Sequence, residues 1–200
     1  GDNQLKIEAF IFDLDGVLTD TAEFHYQAWK QLAEEENLPF SRTDNEQLRG
    51  VSRRASLELI LKGRKITETE MQTLMDRKNS YYQHFLKKIT KADLLPGALA
   101  LLKKLQSEGY RLALASASRN ARTVIDQLGI GHYFEVIADG HSVERTKPAP
   151  DLFIYAANKL SLPPQACLVI EDAAAGITAA QAAGMVTVGI GPPDRAGMAD

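Results

Sequence analysis

Short apolar runs alternate with stretches of helical period along most of the chain, and no other feature narrows the possible folds as much. The runs are Ile-Glu-Ala-Phe-Ile-Phe at 7–12, Arg-Leu-Ala-Leu-Ala at 111–115, Phe-Glu-Val-Ile-Ala at 134–138, Cys-Leu-Val-Ile at 167–170 and Met-Val-Thr-Val-Gly-Ile at 185–190. Segments this short and apolar, bounded by loop residues, read as buried strands. Between them, residues 97–108, 119–128, 150–160 and 173–183 carry the helix period. Strand alternating with helix predicts an α/β fold, a Rossmann-like parallel sheet with helices on both faces.

Residues 22–90 break the rhythm. They offer no strand, only three or four amphipathic helical stretches rich in Gln, Glu, Lys and Leu. The expected organisation is a discontinuous α/β core, 1–21 with 91–200, and an all-helical insertion at 22–90 that begins just after the most polar loop of the chain and is placed to act as its cap. Composition removes other classes. The 200 residues are 44% hydrophobic and 24% charged, ordinary globular values, and 23 Lys plus Arg against 26 Asp plus Glu leave a net charge of −3. No basic patch advertises nucleic acid or an anionic membrane. Residues 173–193 lack charge, but their glycines and prolines read as a small-residue helix, a turn at Gly184 and a strand, not as a membrane span. Cys167, the one cysteine, lies inside an apolar run and reads as a small hydrophobe. Gly1–Lys6 has no secretory-signal pattern. A cytoplasmic monomer acting on a small molecule is expected, with neither nucleic acid nor membrane as partner.

In an open parallel sheet, ligands bind beyond the carboxyl ends of the strands. Four groups converge on that predicted edge: Asp13 and Asp15 after the first run, Ser116 and Ser118 after the second, Glu171 and Asp172 after the fourth, and Lys147 in the loop leading toward the fourth. Clustered carboxylates require a hard cation, and Mg²⁺ combines a few carboxylates with phosphate oxygens and water. Phosphoryl transfer is the simplest chemistry that uses every piece. One carboxylate attacks phosphorus, a second two residues on moves the proton, and Ser116 with Lys147 offsets charge on the transferring oxygens. Each fragment also has a plainer structural reading. Asp-Leu-Asp-Gly is a common Asx turn, Ser116 an eligible helix N-cap, Lys147 a solvated loop residue, and Glu171-Asp172 a helix-dipole partner.

In order, Asp13-Leu-Asp-Gly-Val-Leu-Thr-Asp-Thr, Leu114-Ala-Ser116, Lys147-Pro and Glu171-Asp172 with Gly176 resemble the four motifs of the haloacid dehalogenase superfamily, over essentially the whole chain. Within it, Thr21-Ala-Glu-Phe-His25 continuing to Trp29, Gly50-Val51-Ser52-Arg53, Arg77-Lys78-Asn79 and Ser116-Ala117-Ser118-Arg119-Asn120 resemble the β-phosphoglucomutase branch. That resemblance implies interconversion of β-D-glucose 1-phosphate and glucose 6-phosphate through an aspartyl-phosphate enzyme, with glucose 1,6-bisphosphate as priming intermediate. It implies Asp13 as nucleophile, Asp15 as general acid/base, and Ser116 and Lys147 beside them. Mg²⁺ is implied at Asp13, the Asp15 carbonyl and Asp172, with Glu171 adjacent. Thr21, His25, Trp29, Gly50, Val51, Ser52, Arg53, Lys78, Ala117, Ser118, Arg119 and Asn120 are implied to bind substrate. Arg119 stands where the branch is expected to have lysine, Arg54-Ala55 where an acidic pair is common, and the branch continues with a short strand and helix beyond the position of Asp200.

Independently of the resemblance, Thr21, His25 and Trp29 are spaced by four and share one helix face. Ser52 is an eligible N-cap that would let Arg53 and free backbone amides grip a phosphate together. A buried His and core Trp, and a solvated Arg, are the plainer alternatives. A phosphatase acting on a small phosphorylated sugar or metabolite would use the same core residues, so only the insertion distinguishes a mutase. A non-catalytic scaffold would not need Asp13, Asp15, Lys147 and Asp172 together.

Overall fold

The computed structural model describes residues 6–49 and 51–191. In chain order the elements are β1 (Ala9–Phe12), α1 (Ala22–Glu35), α2 (Arg42–Glu46), α3 (Arg53–Leu61), α4 (Glu68–Leu86), α5 (Ala98–Ser107), β2 (Arg111–Ala115), α6 (Ala121–Leu128), β3 (Val136–Ala138), α7 (Asp151–Leu160), β4 (Cys167–Glu171), α8 (Ala174–Ala182) and β5 (Val186–Gly189). The chain divides into two units, Gly1–Asp20 with Thr90–Asp200, and Thr21–Ile89.

The first unit holds a five-stranded sheet in the order β3-β2-β1-β4-β5, parallel throughout. The apolar runs make this sheet because parallel strands are buried on both faces and must be apolar almost continuously. On one face Ala9, Ile11, Ala113, Ala115, Cys167 and Val169 pack against Leu152, Phe153, Ala156 and Ala157 of α7 and Ala179 and Ala180 of α8. Burial pushes the Cys167 thiol pKa up, so it is an inert filler. The alternate residues, among them Phe12, Leu112 and Leu114, are equally buried and by strand periodicity serve the opposite face. From β1 the chain builds outward through β2 and β3, then returns to the other side of β1 for β4 and β5. This reversal makes the β1/β4 boundary the topological switch point, where such sheets carry their ligands.

Pairing of the first run begins at Ala9, although Glu8 already bonds across to Ala166 and Arg111. The fourth strand extends one residue further than the apolar run, to Glu171, whose backbone pairs with β5 at Gly189 and accepts from Ile190 N. β5 lies at the sheet edge, and its outward residues Val186 and Val188 are exposed.

The second unit is all-helical. Three of its four helices, α2, α3 and α4, start on side-chain caps. Ser41 and Asp44 form a reciprocal capping box, Ser52 Oγ accepts from Ala55 N, and Thr67 Oγ1 accepts from Glu70 N. Each cap satisfies an amide that the first helical turn leaves without an intrahelical partner. Trp29, Leu32, Phe40, Leu57, Ile60, Leu61, Met71, Leu74 and Met75 form its core. Arg77 ties α4 to the end of α1 through Glu36 at 2.8 Å and Glu35 at 3.2 Å, and Glu36 first, then Tyr81, holds its pKa above the ordinary arginine value. Among the described residues no helix is long and apolar enough to cross a membrane.

Candidate active site

β1 ends in a backbone bond from Asp13 N to Ile170 O of 3.0 Å, which keeps Asp13 in sheet register with β4 as the chain leaves the strand. The loop then folds tightly, Leu18 N bonding Leu14 O at 2.9 Å and Gly16 N bonding Thr19 O at 2.7 Å. Gly16 takes φ +77°, and a Cβ there would lie 1.9 Å from Asp172 Oδ2. Both requirements select glycine, because the Asp172 carboxylate occupies the space a side chain would fill. Thr19 secures the far end of the loop, its hydroxyl donating to Asp93 O at 2.6 Å.

Lys147 is brought to the same point from the loop before α7. Its ammonium donates to Glu171 Oε2 at 2.7 Å, Asp13 Oδ1 at 3.1 Å and Ala115 O at 3.1 Å, so all three N–H groups are used. The side chain is only 7% exposed, which disposes of the solvated-loop reading. Burial alone would lower its pKa, but the charges of Asp13 and Glu171 prevail and hold it above the ordinary lysine value. Glu171 is 1% exposed, and its Oε1 accepts from Asp172 N at 3.0 Å and Ala173 N at 3.3 Å. Burial and then the Asp13 charge push its pKa up, against the pull of Lys147. Glu171 therefore serves both as a partner of Lys147 and as an acceptor at the start of α8. Gly176 makes room for it, since a Cβ there would lie 2.0 Å from Glu171 Oε2.

Asp13, Glu171 and Asp172, all buried, each offer a carboxylate oxygen within 4.8 Å of the others. Three hard oxygen donors converging with one ammonium leave negative charge uncompensated, and this donor set fits a divalent cation such as Mg²⁺. Asp15 is half-buried in the adjoining loop, bridged by its backbone to Thr19.

After β2, Ser116 N donates to Ala138 O at 3.0 Å, Ser116 Oγ accepts from Ser118 N at 3.2 Å, and Ser118 Oγ accepts from Asn120 N at 3.1 Å. These stepped hydroxyl turns curl residues 116–120 along the sheet edge. The N-cap position of α6 belongs to Asn120, so Ser116 is not the helix cap. Ser116 and Asn120 are buried, Ala117 and Ser118 half-buried, and Arg119 exposed.

Several haloacid dehalogenase-like features are now visible in one sheet edge, and a family model described as haloacid dehalogenase-like hydrolase matches residues 7–184. The chain belongs to the haloacid dehalogenase-like hydrolases. Among family members, a β-phosphoglucomutase of Bacillus subtilis is 48% identical over 92% of this chain and 84% of that protein. A phosphorylated carbohydrates phosphatase of Thermotoga maritima is 28% identical over 90% of this chain and 82% of that protein. The crystal structure of a β-phosphoglucomutase from Clostridium difficile superposes with a TM-score of 0.90 at 42% identity, covering 96% of this chain and 88% of that one.

In the helical unit of this haloacid dehalogenase-like chain, Thr21 is the buried N-cap residue of α1, and His25 and Trp29 follow on the next turns. Lys78 of α4 reaches both. Its ammonium lies 2.8 Å from His25 Nδ1, 4.8 Å from the Trp29 ring centre and 4.7 Å from that of Tyr82. Lys78 can only donate, so His25 Nδ1 accepts and the ring is neutral. Tyr82 stacks on it, centroids 4.0 Å apart and planes 12° from parallel. Burial, then the charges of Lys78 and Arg53, hold the His25 pKa well below its ordinary value. Arg53, the first residue after the Ser52 cap, donates to Asn79 Oδ1 at 2.9 Å, and Val51 and Arg53 are half-buried. Gly50 lies outside the described residues. Tyr82 is absent from the sequence expectations, though its four-residue spacing from Lys78 on one helix was a usable signal.

Proposed function

We propose that the chain is a Mg²⁺-dependent phosphosugar mutase, a β-phosphoglucomutase that interconverts β-D-glucose 1-phosphate and glucose 6-phosphate through glucose 1,6-bisphosphate. The observation that carries the mutase reading is the much higher similarity to the Bacillus subtilis mutase than to the Thermotoga maritima phosphatase. In this reading Asp13 attacks a phosphoryl group, forming a new P–O bond as the bond to the sugar oxygen breaks. Asp15 gives that leaving oxygen a proton and takes one back from the sugar hydroxyl that receives the phosphoryl in the return step. Lys147 is fixed against the Asp13 carboxylate and offsets charge on the transferring oxygens, with Ser116 donating to one of them. Mg²⁺, held by Asp13, Asp172 and the Asp15 carbonyl with Glu171 beside it, supplies charge neutralisation. The helical unit acts as a cap that excludes water, Arg53 and its Ser52-capped helix start gripping the phosphate that is not reacting. In this reading Thr21, His25, Trp29, Val51 and Lys78 of the helical unit and residues 117–120 of the sheet unit bind substrate. The protein works as a monomer in the cytoplasm on a small sugar phosphate.

A mutase needs a second phosphate site remote from Asp13, and a phosphatase acting on a monophosphate does not. Losing a desolvated guanidinium contact to phosphate costs about 2–5 kcal/mol. Arg53→Ala is therefore expected to lower glucose 6-phosphate formation by roughly one and a half to three and a half orders of magnitude, while acetyl phosphate hydrolysis changes little. The assay couples glucose 6-phosphate detection to phosphate release, with Mg²⁺ and a trace of bisphosphate primer. Stoichiometric phosphate release without glucose 6-phosphate would instead assign a phosphatase.

A further inference from the structure

The turn that follows β3 takes no part in the mechanism above, yet it is built rigidly and presses on the loop that does. Asp139 is 6% exposed. Its Oδ1 accepts from His141 N at 2.8 Å and from Ser142 Oγ at 3.4 Å, and Ser142 Oγ in turn accepts from Asp139 N at 3.0 Å. A backbone bond from Ser142 N to Asp139 O of 3.0 Å closes the same four residues, and Arg122 of α6 lies 3.8 Å from Asp139 Oδ2. The turn thus holds its shape by bonds within itself.

Gly140, buried at its centre, is where the 116–120 loop comes closest. Gly140 N donates to Ser118 O at 3.1 Å, two residues further along both segments than the bond from Ser116 N to Ala138 O. A Cβ on Gly140 would lie 2.6 Å from Ala117 O, 3.0 Å from Arg119 N and 2.8 Å from Arg119 Cγ. Two of these three neighbours are backbone atoms, which cannot swing aside as a side-chain tip can. Gly140 does not have a positive φ, so the demand for glycine here is one of space alone. Only a bare Cα lets the loop settle against the turn.

We propose that the Asp139–Ser142 turn is a rigid buttress that sets the position of the substrate-binding loop 116–120, and that Gly140 is the positioning residue through which it acts. This rests on the mutase reading, in which Ser118, Arg119 and Asn120 bind substrate. A Cβ at Gly140 drives Ala117 and Arg119 outward, whereas Ser116 stays anchored on Ala138 and Asp13 is untouched. The consequence falls on substrate affinity more than on turnover.

The test is Gly140→Ala, with Gly131→Ala as a control for glycine replacement, because a Cβ at Gly131 meets only side-chain atoms at ordinary contact distance, Ile125 Cγ2 at 3.4 Å and Asp126 Oδ1 at 3.8 Å. With β-glucose 1-phosphate as substrate, Gly140→Ala is expected to raise KM about tenfold to a hundredfold, the scale on which small misplacements of binding groups act. Its kcat should stay within about threefold of the unmutated enzyme, Gly131→Ala should leave both constants unchanged, and the two variants should melt within a few degrees of each other. An unchanged KM in Gly140→Ala, or a fall in kcat alone, overturns the buttress. If Gly140→Ala does not fold, Ser142→Ala carries the test. It removes the two bonds of the Ser142 hydroxyl, to Asp139 N and Asp139 Oδ1, without entering the loop, and it should raise KM about two- to fivefold at constant kcat; no rise overturns the proposal. Failure of the mutase reading is distinguishable, because then the unmutated protein itself makes no glucose 6-phosphate.

Discussion

Replacing Lys147 by Met keeps the length and apolar stem of the side chain while deleting the one ammonium among Asp13, Glu171 and Ala115 O. Breaking a buried ion pair by removing one partner costs about 3–5 kcal/mol, chiefly because the remaining charge is left buried and unpaired. Here the remaining charges are two carboxylates, so the upper half of that range applies. In a domain of this size each kcal/mol moves the melting temperature by roughly 2–4 °C, which gives an expected drop of about 8–20 °C in the presence of a chelator. Calorimetry is the appropriate probe, since Trp29, the single tryptophan, belongs to the helical unit and its fluorescence does not report on the sheet. Mg²⁺ binding at Asp13 and Asp172, beside Glu171, should then restore stability by mass action, about 2.7 kcal/mol at a hundred times its Kd. Met at 147 should recover proportionally more than the parent protein, whose ammonium already offsets part of the charge. A variant that melts within about 2 °C of the parent in chelator would refute the claim that Lys147 neutralises the cluster.

Gly16→Ala should abolish Mg²⁺-dependent stabilisation, because its Cβ would displace the Asp172 carboxylate; an unaltered Mg²⁺ titration by calorimetry would contradict this. His25 is neutral in the folded state with a lowered pKa, whereas in the unfolded chain it takes a proton below about pH 6.5. The unfolded state therefore binds more protons, and stability falls as pH drops below that value, by up to about 1.4 kcal/mol per pH unit. His25→Gln should flatten that segment of the profile. Parallel urea midpoints for the two proteins between pH 7.5 and 5 would show that His25 contributes nothing.

Most strands were legible because buried parallel strands leave contiguous apolar runs, and the convergence of Asp13, Ser116 and Glu171 followed from the order of their strands. Lys147 was legible as a candidate but not in its anchoring. One of its three acceptors is the Ala115 carbonyl, a backbone atom that any residue would provide. The two crowded glycines differ in the same way. Gly16 announces itself within Asp-Leu-Asp-Gly, where the local turn already asks for it. Gly140 sits in an unremarkable stretch, and its constraint comes from Ala117 and Arg119, more than twenty positions earlier, which only the paired strands bring near. The His25–Lys78–Tyr82 stack was half legible, since α1 spacing was read and its partner on α4 required a tertiary contact.

β1 is the first element made and the middle strand of the finished sheet. Its partner on one side, β2, follows about a hundred residues later, and its partner on the other, β4, about a hundred and sixty. During synthesis the central strand therefore waits, apolar and unpaired, while the entire helical unit emerges and can complete its own core from neighbours close in sequence. β1 gains its second neighbour only when Cys167–Glu171 leaves the ribosome, and the cluster of Asp13, Lys147, Glu171 and Asp172 comes into being in that same late event. A nascent chain halted before residue 167 holds a finished helical insertion and no catalytic centre.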